Sequence, residues 1–274
     1  MQSLWDRPDL IVAWTIGLTI TAAALVETFW PFRRLASSTL RRWLANGALY
    51  LTSNIVLALI YRASGIGIAL AVQSSGRGLL NSHALPFALR FALGMLLIDL
   101  LSYTTHRLNH ALPFLWRFHQ VHHSETDLDV TTGIRFHPVE GLFTYGVPLA
   151  AIALLGIPPS AVLTAYLALI VQDSFTHANL RIPAWIDRAL RLILITPGLH
   201  RRHHSSDETD QNTNFGTVFS FWDRLFATLR QRDASEIAAY GLSEFPGGSS
   251  FNVIRLLALP FRRSRPTLAL AARK

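Results

Sequence analysis

Three histidine groups, His106-x3-His110, His119-x2-His122-His123 and His200-x2-His203-His204, stand in a chain of 274 residues that contains no cysteine. Imidazole suits iron, zinc, copper and nickel, and eight neutral nitrogen donors exceed what one tetrahedral zinc ion can use. Residues three or four apart on a helix share a face, so His106 and His110 can point at one metal. In the second group His119 and either His122 or His123 can approach one ion while the adjacent histidine turns toward another. The same holds for His200, His203 and His204. A motif repeated beyond the needs of a single ion argues for two metals. Two ions with open positions can bind and activate dioxygen, or clamp a hydrolytic transition state.

Other residues join these by position. Asp99 and Tyr103 lie on the stripe of His106 and His110, one and two turns earlier. His177 falls at the end of an apolar segment and is expected among the ligands. Asp173, one turn before it, reads as a carboxylate ligand, an acceptor behind an imidazole N–H or a helix-end polar group, the acceptor role being preferred. His137 sits in Arg135-Phe136-His137-Pro138-Val139-Glu140, where Arg135 and Glu140 read as an ion pair around a turn; His137 is either a ligand or an outer-sphere residue. His83 reads as a loop histidine. The seven tryptophans fall mostly near span ends, as aromatic belts do, and carry no chemistry.

The elements that position these residues are apolar. The chain is 50% hydrophobic with a mean hydropathy of +0.30, and only 15% is charged, well under the roughly 25% of soluble chains. Residues 10–30 are long enough to cross a hydrocarbon core and read as a retained first span. Arg33, Arg34, Arg41 and Arg42 follow, and the positive-inside rule puts them in the cytoplasm. A second span covers 43–61, with 65–72 extending it or lying in the interface; a third covers 85–103. Residues 142–155 and 160–176, separated by Gly156-Ile157-Pro158-Pro159, read as a hairpin that enters and leaves on one side. Residues 183–196 read as an interfacial helix. This topology gathers every histidine but His83 on the cytoplasmic face. The formal charge of +8 sits in arginine pairs beside spans, which favours an anionic membrane surface over nucleic acid. A single lysine, Lys274, against 24 arginines hints at GC-rich bacterial coding. The expected fold is all-α: multi-pass transmembrane helices under a cytosolic histidine-rich helical cap. Its expected parts are an N-terminal transmembrane region over 1–98, a catalytic region over 99–230 including the hairpin at 142–176, and a cytosolic tail over 231–274 whose last dozen residues are mobile.

Over about 99–228 the chain resembles the fatty acid hydroxylase/sterol desaturase superfamily. The resemblance rests on Asp99-x3-Tyr103-x2-His106-Arg107-x2-His110, on Leu115-Trp116-Arg117-Phe118-His119-Gln120-Val121-His122-His123-Ser124 and on Arg135-Phe136-His137-Pro138-x-Glu140. It continues in Phe175-Thr176-His177-Ala178-Asn179, Thr196-Pro197-Gly198-Leu199-His200-Arg201-Arg202-His203-His204, Asn214-Phe215-Gly216 and Trp222-Asp223-Arg224-Leu225-Phe226. It implies two irons, replaceable by zinc on purification, held by His106, His110, His119, His122, His123, His200, His203 and His204, with His177 as a further ligand. Ala227 departs from a glycine common in relatives, and Asp173 from a histidine of the fatty acid 2-hydroxylases.

The expected function is O2-dependent hydroxylation or desaturation of an apolar lipid such as a sterol or fatty acyl chain. A separate electron donor, a ferredoxin or cytochrome with its reductase, is expected, because the chain has no cysteine ligands and no G-x-G-x-x-G after a strand. The alternatives are a lipid-binding or scaffold protein with a structural metal, and a di-zinc lipid hydrolase. The expected location is a bacterial inner membrane, or the endoplasmic reticulum of a eukaryote.

Overall fold

The computed structural model describes residues 7–81, 85–231, 237, 239–242, 245 and 251–262. His83 and the last dozen residues lie outside them, as does most of the expected C-terminal tail. Twelve α-helices follow in chain order among the described residues. They are α1 (Pro8–Phe29), α2 (Thr39–Tyr61), α3 (Gly65–Ser75), α4 (Phe87–Ala111), α5 (Pro113–His123), α6 (Pro138–Leu155), α7 (Pro159–His177), α8 (Ala184–Leu190), α9 (Pro197–His203), α10 (Glu208–Gln211), α11 (Phe221–Leu225) and α12 (Val253–Ala258). There is no β-strand among the described residues, only three isolated bridges.

Local chemistry sets the boundaries. Prolines that need no amide partner open α1, α5, α6, α7 and α9. Ser64 caps α3 by accepting from the Gly67 N–H at 3.0 Å. Gly156, at a φ of +68°, ends α6 in the left-handed conformation that a glycine adopts without cost. Pro158-Pro159 then start α7.

Four stretches are long and apolar enough to cross a membrane: Pro8–Phe29, Thr39–Ser75, Phe87–Ala111 and Pro138–Leu155. Their large apolar side chains face outward, Leu18 at 63%, Leu51 at 61% and Leu154 at 75% exposure. A water-soluble helix would bury that face; a hydrocarbon solvent leaves no reason to. The inward seam is built from smaller side chains. Ile66 and Ala69 of α3, Ile98 of α4, Ile152 of α6 and Ala161, Val162 and Ala165 of α7 form one buried cluster. A Cβ at Gly94 would stand 2.7 Å from the Ile157 side chain, so α4 reaches the hairpin turn only because residue 94 is glycine.

One end of this bundle carries the polar chemistry. The C-terminal ends of α1, α4 and α7 meet the N-terminal ends of α2 and α6 there. Glu27 of α1 accepts from the backbone N–H groups of Val130 (3.3 Å) and Asn179 (2.9 Å). Arg42 of α2, fully buried, pairs with Asp129 at 2.6 Å. Asn46 of α2 bonds Thr131 and accepts from Arg135, each near 3 Å. Both ends of the α6–α7 hairpin reach this same end, at Glu140 and His177, as expected from the proline-marked turn.

The segment 183–196 differs from the expected interfacial helix. Only Ala184–Leu190 is helical. Leu194 then bridges Phe219, and Ile195 N–H donates to the Val218 carbonyl at 3.0 Å. Pairing with a segment more than twenty residues away outcompetes the local helical spacing.

Candidate metal centre

Four helices, α4, α5, α7 and α9 with its C-cap, bring nine histidines together in two adjoining nests. His106, His110, His119, His123 and His203 form the first; His122, His177, His200 and His204 form the second. Within each nest one nitrogen from every ring lies within 4.8 Å of all the others. The helical repeat explains the sorting. On α5, His119 and His123 are four apart and share the first nest, while His122 turns to the second. On α9 and its C-cap, His200 and His204 share the second nest and His203 turns to the first. The short helices α5 and α9 therefore exchange one histidine each, and the nests abut where His123 stacks on His204 at 4.5 Å.

The donor chemistry fits a metal ion. His106 Nδ1–H donates to the Phe215 carbonyl and His203 Nδ1–H to the Thr213 carbonyl, both at 2.9 Å. His119 Nδ1 lies 2.6 Å from Glu140 Oε1. Each contact places the single ring proton on Nδ1, so the Nε2 lone pairs face one another. Those Nε2 atoms, with Nε2 of His110, are buried without a hydrogen-bond partner. Converging lone pairs with no proton between them are unfavourable unless a cation sits among them. In the second nest Nε2 contacts run from His122 to His177 (3.2 Å), to His200 (2.8 Å) and to His204 (3.2 Å). Nitrogens about 2.0–2.1 Å from a shared ion lie roughly 3 Å apart, the spacing these rings hold. Burial first, and then neighbouring imidazoles, push the pKa values of His122, His123, His200 and His204 well down; His203 is pushed down to about 3. These rings stay neutral at physiological pH, the state in which imidazole binds metal.

The remaining expected residues, Asp173, Asp99 and His137, belong to neither nest. Asp173 Oδ1 is 3.2 Å from His177 Nδ1, whose proton is also offered to the Asp173 carbonyl at 2.9 Å. Asp99 touches no histidine by hydrogen bond; it accepts from Val218 N–H, Phe219 N–H and Trp222 Nε1–H at 3.1, 3.4 and 2.8 Å. Asp223 likewise accepts from the Phe215 and Gly216 N–H groups at 2.8 Å. The two carboxylates hold the loop that presents the Phe215 and Thr213 carbonyls. His137 caps α6, accepting from Val139 N–H at 3.1 Å, and its Nε2 lies 3.3 Å from the Leu257 carbonyl. Both its nitrogens are engaged away from the nests.

The expected Arg135–Glu140 pair does not form. Arg135 instead bonds the Val121 carbonyl, Asn46 and Ser124, each at 2.9 Å, and lies 3.5 Å from Glu125. It thereby fixes the end of α5 that carries His122 and His123. Glu140 goes to His119, and sequence reasoning missed it. The available signal was a carboxylate in the first turn of the helix that starts at Pro138.

Gly133 shows how closely the second nest is packed. A Cβ there would lie 2.5 Å from Asp173 Oδ2 and 3.1 Å from His177 Nδ1. Gly133→Ala is expected to cost about 1–3 kcal/mol through overpacking and to displace His177. A lower melting temperature in detergent together with weakened metal retention would confirm it; unchanged values for both would refute it.

An all-helical bundle of membrane-crossing length, ending in two all-imidazole nests, defines a polyhistidine membrane protein. The chain belongs to the fatty acid hydroxylase family, whose model matches residues 91–228. Among curated relatives, ornithine lipid hydroxylase OlsE of Rhizobium tropici is 33% identical over 65% of this chain and 52% of that protein. Human alkylglycerol monooxygenase is 31% identical over 53% of this chain and 31% of its own length. Human cholesterol 25-hydroxylase is 30% identical over 50% of this chain and 49% of its own length. The chain thus matches about half, or less, of the length of these relatives. No solved structure matches it.

Proposed function

We propose that the chain is a membrane-bound, di-iron, O2-dependent lipid hydroxylase. The observation that carries the reading is the pair of nests, five and four imidazoles with bare nitrogens converging. His106, His110, His119, His123 and His203 would hold one iron; His122, His177, His200 and His204 the other. When bound, the irons supply activation of dioxygen for attack on an unactivated C–H bond. The chain's own contribution is to hold nine imidazole donors in place, to bury their nitrogens, and to set them at one end of an apolar helix bundle from which a lipid would enter. Neither nest contains a carboxylate, which favours this chemistry over a di-zinc hydrolase, whose ions usually share carboxylates. The three relatives are named for hydroxylation or monooxygenation, which favours hydroxylation over desaturation. Ornithine lipids, alkylglycerols and sterols are the substrate classes to try first. A separate one-electron carrier would supply the two electrons of each turnover, at a cytoplasmic face carrying the histidines.

The test is purified, iron-loaded protein supplied with reductant, dioxygen and a membrane lipid extract. Oxygen consumption with a lipid that gains one oxygen atom is the expected result, and His122→Ala should abolish both. A protein that holds iron yet neither consumes oxygen nor alters any lipid would overturn the proposal.

A further inference from the structure

We infer that Glu140 is the positioning residue for His119, fixing that ring's orientation and proton and setting its donor strength within the five-histidine nest. The inference deepens the metal-centre reading and rests on it. His119 Nδ1 and Glu140 Oε1 are 2.6 Å apart, and both side chains are only 2% exposed. The distance is that of a charge-assisted hydrogen bond. With Nδ1 turned to Glu140, the ring presents Nε2 to the nest, where that atom has no other partner.

A second observation points the same way. Glu140 Oε2 is buried and accepts no hydrogen bond, and Arg135, the nearby cation in sequence, is spent on α5 and α2. A buried carboxylate is costly unless a positive charge compensates it. An ion in the first nest provides that charge through the His119 ring. The other imidazoles of this nest with resolved Nδ1 partners, His106 and His203, are backed by neutral carbonyls. His119 is therefore the ring with an anion behind it, and the strongest electron donor of the five. In the second nest the comparable carboxylate, Asp173, is 31% exposed and shares the His177 proton with its own carbonyl. The first ion is accordingly held more tightly and stabilised at higher charge than the second.

The rival explanation is that Glu140 serves only the start of α6, where an acidic residue complements the helix dipole. Glu140→Gln separates the two, since it keeps shape and removes the anion. Metal-free protein in detergent is titrated with cobalt(II), following visible absorption. Wild type is expected to take two equivalents. Glu140→Gln should weaken one of them about 10–100-fold, with a shifted d–d band, and leave the other unchanged. The unchanged equivalent also verifies folding. His119→Ala and His119→Ala/Glu140→Gln should bind alike, because Glu140 acts through His119.

Wild-type affinity and spectrum in Glu140→Gln would overturn the inference. So would loss of both equivalents, which reports collapse of the bundle end, or additive losses in the double variant. Absence of cobalt binding in wild type would instead overturn the metal-centre reading itself.

Discussion

His203→Ala should lose one iron per chain and His204→Ala the other, although the two residues are neighbours in sequence. The expectation follows from the exchange of histidines between α5 and α9: His203 faces His106 and His110, with ring centroids 4.5 and 4.6 Å away, whereas His204 faces His122 at the same 4.6 Å. Metal analysis should give about two irons for wild type, about one for each single variant, and almost none for the double variant. Turnover should fall at least 100-fold in both single variants, because a missing ligand exceeds the 10–100-fold effect of a residue behind a ligand. Spectra of the remaining iron should differ between the variants. Equal depletion of both ions by each substitution, or retention of two irons by either, would refute the division into nests of five and four.

The second large effect is expected at a residue that belongs to neither nest. Asp129→Ala leaves the buried Arg42 guanidinium without its anion, and also removes the acceptor of Trp43 Nε1–H at 3.0 Å and of Thr131 N–H at 2.8 Å. Removing one partner of a buried pair costs about 3–5 kcal/mol, whereas replacing both by apolar residues of similar volume is often near neutral. Thermal unfolding in detergent should show a large loss for Asp129→Ala and a much smaller one for Arg42→Met/Asp129→Leu. Equal melting of Asp129→Ala and wild type would show that the pair is dispensable. The consequence for the centre is indirect: Asp129 caps the 3-10 turn over Val130–Ile134, and this turn carries Gly133 against His177.

The helices that span and the histidines that gather were legible because both are periodic. An apolar run of twenty residues is visible without any partner, and spacing by three or four sorts a histidine onto a face. That repeat splits the adjacent His122 and His123 between two faces, and the fold settles which of them stays with His119: His123. Contacts fixed by long-range pairing were not legible. Arg135 and Glu140 are five residues apart and opposite in charge, yet each finds a better partner from another helix, Asn46 on α2 and His119 on α5. Asp99 shares a helical stripe with His106 and His110, but its partners lie 119 to 123 residues downstream. The helix expected over 183–196 stops at Leu190 because Leu194 and Ile195 pair with Phe219 and Val218. In each case local pattern names the residue type and the tertiary partner decides its job.

Glu27 carries an implication for the order of assembly. It is made 103 residues before Val130 and 152 before Asn179, the two amides that it accepts from. Chains are synthesised from the N-terminus, so α1 enters the bilayer with a carboxylate whose partners do not yet exist. Its place two residues from the end of the helix lets the group wait among lipid headgroups, where an ionised side chain costs little. The bond to Asn179 closes only after α7 has been threaded and its last turn, bearing His177, has been released. Helix α1 is thus made long before it is locked, and its closure marks a chain in which α7 and His177 have been delivered.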